Sequence, residues 1–183
     1  MRRADIYPPI PSDAAGSADM RAKRMVRRHK TFLERRYIME SRVLFITKDK
    51  KEGEHKQESL RQIAGAIAQG AKITVDPIEK HTTVHDLNVL FLGCELSFGK
   101  IPGEMHKFAK TIESGSVGQV VVFSVSHSPD KTALAEIKAI LEPKGVKVNE
   151  SQLHSPDKVT NKELDDARKF GASIMAAAMN EKW

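Results

Sequence analysis

The chain has 183 residues, of which 40% are hydrophobic, enough for one domain with a sizeable core. No stretch approaches the ~20 apolar residues of a membrane-spanning helix, and the basic amino terminus lacks the apolar region of a secretory signal. The single cysteine, Cys94, excludes an intramolecular disulfide and a metal site built on clustered cysteines, and fits a reducing compartment such as the cytoplasm.

The net charge of +6 is distributed unevenly along the chain. Residues 1–38 hold ten basic and four acidic residues, whereas residues 39–183 hold 20 of each. The basic residues also change type, from eight Arg and two Lys to three Arg and 17 Lys. Because residues 39–183 carry no excess charge, we expect this part to bind neither nucleic acid nor an anionic membrane.

Residues 1–38 are predicted to lie outside the folded domain. The stretch 8–19 is expected to be disordered or extended, and residues 20–38 favour at most a short basic helix. Two interpretations stay open: a tail that binds nucleic acid or an acidic membrane, and a translated leader before a natural start at Met39. The codons of Glu-Arg-Arg at 34–36 can spell a bacterial ribosome-binding sequence, which favours the leader.

Apolar runs and helical periodicity alternate along residues 39–183. Strands are predicted where apolar residues are consecutive or alternate with polar ones, and helices where they recur every three or four positions. The predicted strands are 42–47, 71–78, 87–92, 117–125 and 146–153. The predicted helices are 59–68, 102–112, 132–141 and 161–179, with Gly70 ending the first and Thr160 or Asn161 capping the last.

This alternation predicts an α/β fold, a doubly wound five-stranded parallel sheet with helices on both faces. The expected strand order is 2-1-3-4-5, in which ligands bind beyond the carboxyl ends of strands 1, 3 and 4. Residues 79–86, between the second and third strands, show no full helix.

Several segments resemble flavodoxins. The sequence Val-Leu-Phe-Leu-Gly-Cys at 89–94 and the run 98–108 are similar to the third strand, flavin loop and following helix of that family. Residues 120–124, 141–148 and 164–171 resemble its fourth strand, the run into its fifth strand and its final helix. The resemblance covers residues 41–183 and implies a flavodoxin-like fold, bound FMN and low-potential electron transfer.

The first flavin loop that the resemblance implies is residues 47–59. In flavodoxins this loop is short, rich in Ser, Thr and Gly, and wraps the phosphate with N–H groups and hydroxyls. Thr47 and Ser59 are the residues here that offer hydroxyls, and they are the predicted phosphate contacts. The loop also carries four acidic residues and four lysines. This composition departs from the family pattern and keeps a flavin-free binding module open as an alternative.

The second implied loop, residues 93–100, matches the family best. Gly93 would let the backbone approach the flavin ring, Phe98 would stack on the ring, and Gly99 follows. An anionic Glu95 beside the flavin would lower its reduction potential. Two alternatives stay open: Phe98 packs at the loop base, and Cys94 is an inert core residue rather than a redox thiol.

The third implied loop contributes Ser124, Ser126 and His127. Flavodoxins often place an aromatic residue here, and His127 is the one ring available in this loop. The pentapeptide His-Ser-Pro-Asp-Lys occurs twice, at 127–131 and 154–158, each time after a predicted strand. It is either a turn sequence used twice or a device that lines one ligand-facing edge with two histidines.

The leading functional hypothesis is a cytoplasmic protein that binds FMN noncovalently and exchanges electrons with redox partner proteins. Such a carrier needs no catalytic residue or metal, because the flavin supplies the chemistry. The alternative is a degenerate flavodoxin-fold binding module without flavin. A flavin-dependent reductase has no specific support in the sequence. Hydrolase and nucleotide-binding motifs such as Gly-x-Ser-x-Gly, His-Glu-x-x-His and the Walker loop do not occur in it.

Deleting residues 1–38 is expected to leave the melting temperature of the domain nearly unchanged. The segment has no apolar periodicity with which to pack against a core. Thermal unfolding followed by circular dichroism compares the full chain with a chain that begins at Met39, and a drop of several degrees would contradict this expectation.

Overall fold

Five strands and four helices alternate in the computed structural model, which describes residues 40–46, 54–96, 100–127 and 132–180. These residues belong to the unit Glu40–Trp183. The elements are β1 (Glu40–Phe45), α1 (Glu54–Ala71), β2 (Thr74–Pro77), β3 (Leu87–Glu95), α2 (Gly103–Thr111), β4 (Val117–Val125), α3 (Thr132–Leu141), β5 (Val148–Ser155) and α4 (Asn161–Asn180). The predicted leader lies outside the described residues, so its boundary stays a prediction.

The five strands form one sheet in the order β2-β1-β3-β4-β5, and every neighbouring pair is parallel. This confirms the predicted doubly wound, flavodoxin-like topology. The chain steps from β1 outward to β2 and then back across to β3 on the other side of β1. The carboxyl ends of β1 and β3 therefore lie at the switch point where open α/β sheets bind ligands.

Strand side chains alternate between two apolar layers. Leu90, Leu92 and Cys94 of β3 pack with α2 and α3 on one face of the sheet. Phe91 of β3 packs with α1 and α4 on the other face. Both faces are covered, which explains why these strands are almost continuously apolar in sequence. Among the described helices, none is long and apolar enough to cross a membrane.

Helices α1 and α4 cross at very short range through two glycines. A Cβ at Gly70 would lie 2.0 Å from the carbonyl oxygen of Arg168, and one at Gly171 would lie 2.4 Å from that of Ile67. The absence of side chains at these two positions lets the backbones of the two helices touch. The crossing fixes α4 against α1 over the second apolar layer.

Helix α1 differs from its predicted bounds at both ends. It begins at Glu54 rather than residue 59, because its first turn is charged and the apolar periodicity does not reveal it. It ends at Ala71 rather than before Gly70, and Lys72 takes the left-handed conformation with φ 57° that closes the helix. The predicted start of the second strand at residue 71 was therefore wrong, and β2 begins at Thr74.

Strand β3 is three residues longer than predicted. It continues through Gly93 and Cys94 to Glu95, which pairs with Val125 of β4. The expected loop that began at Gly93 therefore starts only at Leu96. Pairing with β4 overrides the tendency of glycine to end a strand. Smaller shifts affect the first and last strands, which were predicted at 42–47 and 146–153.

Replacing Gly171 with alanine is expected to destabilise the domain by about 1–3 kcal/mol, because the new methyl group meets a helix backbone that cannot move aside cheaply. Gly65→Ala is the matched control: it lies inside α1 with nothing within 4 Å of an added Cβ. That change should stabilise the domain by about 0.5–1 kcal/mol. Urea unfolding measures both, and equal stabilities of the two variants would contradict the close crossing.

Candidate functional site

The carboxyl ends of the strands form one polar edge of the sheet, which we call the rim and define as residues 46, 95–96, 124–127 and 154–157. Its outermost rungs are backbone hydrogen bonds: the Ile46 amide donates to the Gly93 carbonyl (3.1 Å) and the Leu96 amide to the Val125 carbonyl (3.0 Å). The resemblance to flavodoxins implies flavin loops in the sequence that follows these rungs. Three predicted contact residues in those loops, Thr47, Phe98 and Gly99, lie outside the described residues.

Buried polar side chains concentrate at this edge. Of the eight buried polar or charged residues in the described part of the chain, five lie at the rim or against it. They are Ser59, Glu95, Ser124, Ser126 and Ser155. Burial of polar groups costs free energy unless they are hydrogen-bonded, so such a cluster marks the edge as a candidate functional site.

Gly93 lies inside β3, below the rim. A Cβ at this position would fall 2.0 Å from the ring of Phe123 in the neighbouring strand. The glycine therefore makes room for a core aromatic side chain, which accounts for its presence without a ligand. Its predicted contact with a flavin ring stays a prediction.

Cys94 is buried in the layer under α2 and α3. Burial, with smaller contributions from the nearby carboxylates of Glu136 and Glu95, raises the pKa of its thiol to about 12. A thiol of this kind stays protonated at neutral pH and is a poor nucleophile. The structure therefore favours the interpretation of Cys94 as an inert core residue over the redox thiol.

Glu136 also links the two helices on this face. One of its carboxylate oxygens lies 2.8 Å from Nε2 of His106, so the pair joins α3 to the first turns of α2. Both helices start directly after implied flavin loops. The pair therefore holds the helices that carry those loops at a fixed separation.

Ser59 is engaged in a contact that the sequence did not reveal. It lies in the second turn of α1, and its hydroxyl donates to the backbone carbonyl of Asp157 at 2.5 Å. Because α1 begins five residues earlier, Ser59 is not at the helix N-terminus, where N–H groups bind phosphate. Ser59 was expected to contact a phosphate at the start of a helix, but it lies in the second turn of α1 and its hydroxyl donates to a backbone carbonyl.

The histidines of the two copies of the repeated pentapeptide lie at different levels of the sheet. Ser124 pairs with His154 and Val125 with Ser155, so His154 lies within the sheet while His127 comes after its end. His127 is 98% exposed, and its Nδ1 lies 3.8 Å from a carboxylate oxygen of Asp157 in the other copy. The two histidines are therefore not brought side by side, and the contact joins a histidine to an aspartate.

Ser155 and Asp157 each have a buried polar atom at the rim without a hydrogen-bond partner among the described residues. They are the hydroxyl of Ser155, a residue only 2% exposed, and Oδ1 of Asp157. Sequence reasoning missed both residues as site candidates, although both fall in the second copy of the repeat. Since an unpaired buried polar atom is costly, these atoms favour a partner that supplies hydrogen-bond donors.

Metal binding has no support within the described ranges. No group of three or more His, Cys, Asp or Glu side chains there is arranged to hold an ion.

The Cys94 thiol is expected to resist thiol reagents in the folded protein at about pH 8, because its raised pKa leaves almost no thiolate. It should react fully once the protein is unfolded in urea. Absorbance after adding an aromatic disulfide reagent measures the reaction, and Cys94→Ser is the blank. Rapid labelling of the folded protein would contradict the buried placement.

Neither a protein-family model nor a curated protein matches this sequence. Solved structures do match it. A flavodoxin from the domain Archaea superimposes with a TM-score of 0.59 at 13% identity, covering 78% of this chain and 100% of that one. Flavodoxin 1 from Bacillus cereus gives a TM-score of 0.54 at 16% identity over 75% of this chain and 97% of its own.

A short-chain flavodoxin associated with a PDU bacterial microcompartment is also similar, with a TM-score of 0.57 and 12% identity over 77% of this chain and 99% of that chain. At such identities the similarity establishes the fold and not the function. Residues 40–183 therefore have the flavodoxin-like fold that the sequence predicted.

Proposed function

We propose that the rim binds FMN noncovalently and that the protein transfers electrons between redox partner proteins in the cytoplasm. The observation that carries this proposal is the cluster of buried polar side chains at the carboxyl edge, next to the switch point between β1 and β3. The similarity to flavodoxins supports the same place for a flavin by analogy of fold.

The rim residues fit the ring of a flavin. An isoalloxazine ring has a polar edge that donates and accepts hydrogen bonds, and serine hydroxyls do both. Ser126 is at the rim itself, and His127 beside it is exposed and aromatic. Phe98 is the predicted stacking partner from the second loop.

A bound flavin supplies the electron-transfer chemistry, so the chain needs no acid or base of its own. The protein's part is to hold the ring, exclude water and fix the local charge. Glu95, only 8% exposed at the end of β3, would bring a carboxylate to the proposed ring position. A negative charge there disfavours an anionic reduced flavin and lowers its potential.

The alternative function is a flavodoxin-fold binding module without flavin. Two observations favour it: the Ser59 hydroxyl is used by the Asp157 carbonyl, and Gly93 makes room for Phe123 rather than for a ligand. Such a module would act through protein contacts at its surface.

Titrating the purified chain with FMN distinguishes the two functions. We expect quenching of flavin fluorescence with a dissociation constant in the micromolar range, about −8 kcal/mol, weaker than a full phosphate cradle would give. Phe98→Ala should weaken binding by roughly 1 kcal/mol if the ring stacks there, whereas Phe98→Tyr, which keeps the ring, should not.

The opposite result is equally clear. No quenching at about 100 μM protein, a concentration well above a micromolar dissociation constant, would leave the flavin-free module as the better description.

A further inference from the structure

We infer that residues 149–151 of β5, which we call the β5 bulge, prevent the free edge of the sheet from pairing with a second copy of this chain. The inference is independent of the proposed function, because it concerns the side of the sheet and not the rim. Three observations on β5 and its neighbours lead to it.

Strand β5 is the longer of the two edge strands of the sheet. It has eight residues, Val148–Ser155, and within the described part of the chain it pairs only with β4. The opposite edge strand, β2, has four residues and ends in Pro77, which has no backbone N–H. The unpaired side of an edge strand presents N–H and C=O groups that can bind another strand. Of the two edges, β5 is therefore the one that needs protection.

The first observation is the register between β4 and β5. Val148 pairs with Val120 and Gln152 pairs with Val122, so β5 advances four residues while β4 advances two. The two extra residues displace the β5 backbone from the regular pleat and interrupt the edge. A regular edge remains only from Gln152 to Ser155, four residues long like the short strand β2.

The second observation is the pair of hydrogen bonds made by the side-chain amide of Asn149. Its Oδ1 accepts a hydrogen bond from the Ser151 amide at 2.8 Å, and its Nδ2 donates to Oε1 of Gln119 at 3.0 Å. Gln119 belongs to β4 and is only 2% exposed, so the second bond ties the bulge to the interior of the sheet. The first bond uses the Ser151 N–H, which is then not available to an added strand.

The third observation concerns Glu150, the middle residue of the bulge. Its side chain is 80% exposed, and a carboxylate oxygen lies 2.5 Å from Nζ of Lys138 in α3. The same Nζ lies 3.4 Å from a carboxylate oxygen of Glu142. A strand added along β5 would have to displace or bury these charged side chains, which costs free energy.

The occupant that the bulge excludes is a second β5. Two identical edge strands can pair antiparallel across a two-fold axis and form a closed dimer. Removing Glu150 and Ser151 together would place Asn149 opposite Val121, and both strands would then advance equally. Because the deletion removes an even number of residues, side chains on either side of it keep their faces of the sheet.

Sedimentation velocity of the full chain from about 1 to 100 μM tests the inference. The unaltered chain should sediment as a monomer over this range, whereas the deletion variant should gain about half of the monomer mass or more at the highest concentration. A dimer of the unaltered chain overturns the inference. A deletion variant that gives the circular dichroism spectrum of the unaltered chain and stays monomeric overturns it as well.

Glu150→Gln is the matched control, because it removes the charge and keeps the length of the bulge. This variant should stay monomeric, since the interrupted backbone is unchanged. Its association at about 100 μM would show that charge rather than backbone geometry protects the edge, and would overturn the inference.

Asn149→Val provides the test if the deletion variant does not fold. It keeps the chain length, removes both side-chain bonds of the bulge and introduces a residue that favours regular strand. The folded variant should gain mass with concentration, and a folded, monomeric variant overturns the inference.

Hydrogen–deuterium exchange at low and high concentration locates the new contact in a variant that associates. The β5 amides should exchange more slowly at the high concentration, because the added strand pairs with them. Slower exchange confined to other elements would mean that association does not use this edge, and would overturn the inference.

Discussion

The close crossing of α1 and α4 is the constraint that organises the candidate site. With Gly70 and Gly171 at the contact, the two backbones touch, and no side chain separates the helices. The segment that leads into α4 is thereby drawn against the second turn of α1, where the Ser59 hydroxyl bonds to the Asp157 carbonyl. Asp157 is brought to the rim in this way, between α1 and the end of β4. The packing of the two helices thus fixes the segment that carries Asp157 next to α1.

The rim carries two carboxylate side chains. They belong to Glu95, which is buried at the end of β3, and to Asp157, one of whose carboxylate oxygens lies 3.8 Å from Nδ1 of His127. At the start of α4, Thr160 and Glu163 form a capping box: the Lys162 amide donates to the Thr160 hydroxyl and the Thr160 amide to the Glu163 carboxylate.

The fold was predictable from the sequence because it depends on the spacing of apolar residues, which differs between strands and helices. Strand β4 and helix α3 were predicted at the bounds that the structure gives them, and the strand order followed from the alternation of elements. The predicted bounds of α1 and β3 were wrong, because the apolar pattern of the sequence does not show where these two elements begin or end. The charged first turn of α1 shows no periodicity, and Gly93 resembled a strand end although β3 continues to Glu95.

The site was less predictable, because its geometry depends on register between distant segments. One interpretation of the repeated pentapeptide put two histidines on the same ligand-facing edge, yet Ser124 pairs with His154, so His154 lies three residues below the level of His127 in the sheet. That offset places His127 opposite Asp157 rather than opposite a second histidine. Pairing register between parallel strands is specified by packing on both faces and leaves no short-range signal in the sequence. A repeat in sequence therefore does not predict a repeat in space.

Low identity to flavodoxins is consistent with this division between fold and site. Matches of 12–16% identity reproduce the whole sheet, because many different apolar residues satisfy the two packed layers. Ligand choice depends instead on a handful of rim residues, each of which can change without affecting those layers. A shared sheet therefore leaves the rim side chains, Glu95, Ser155 and Asp157 among them, free to differ between proteins of this fold.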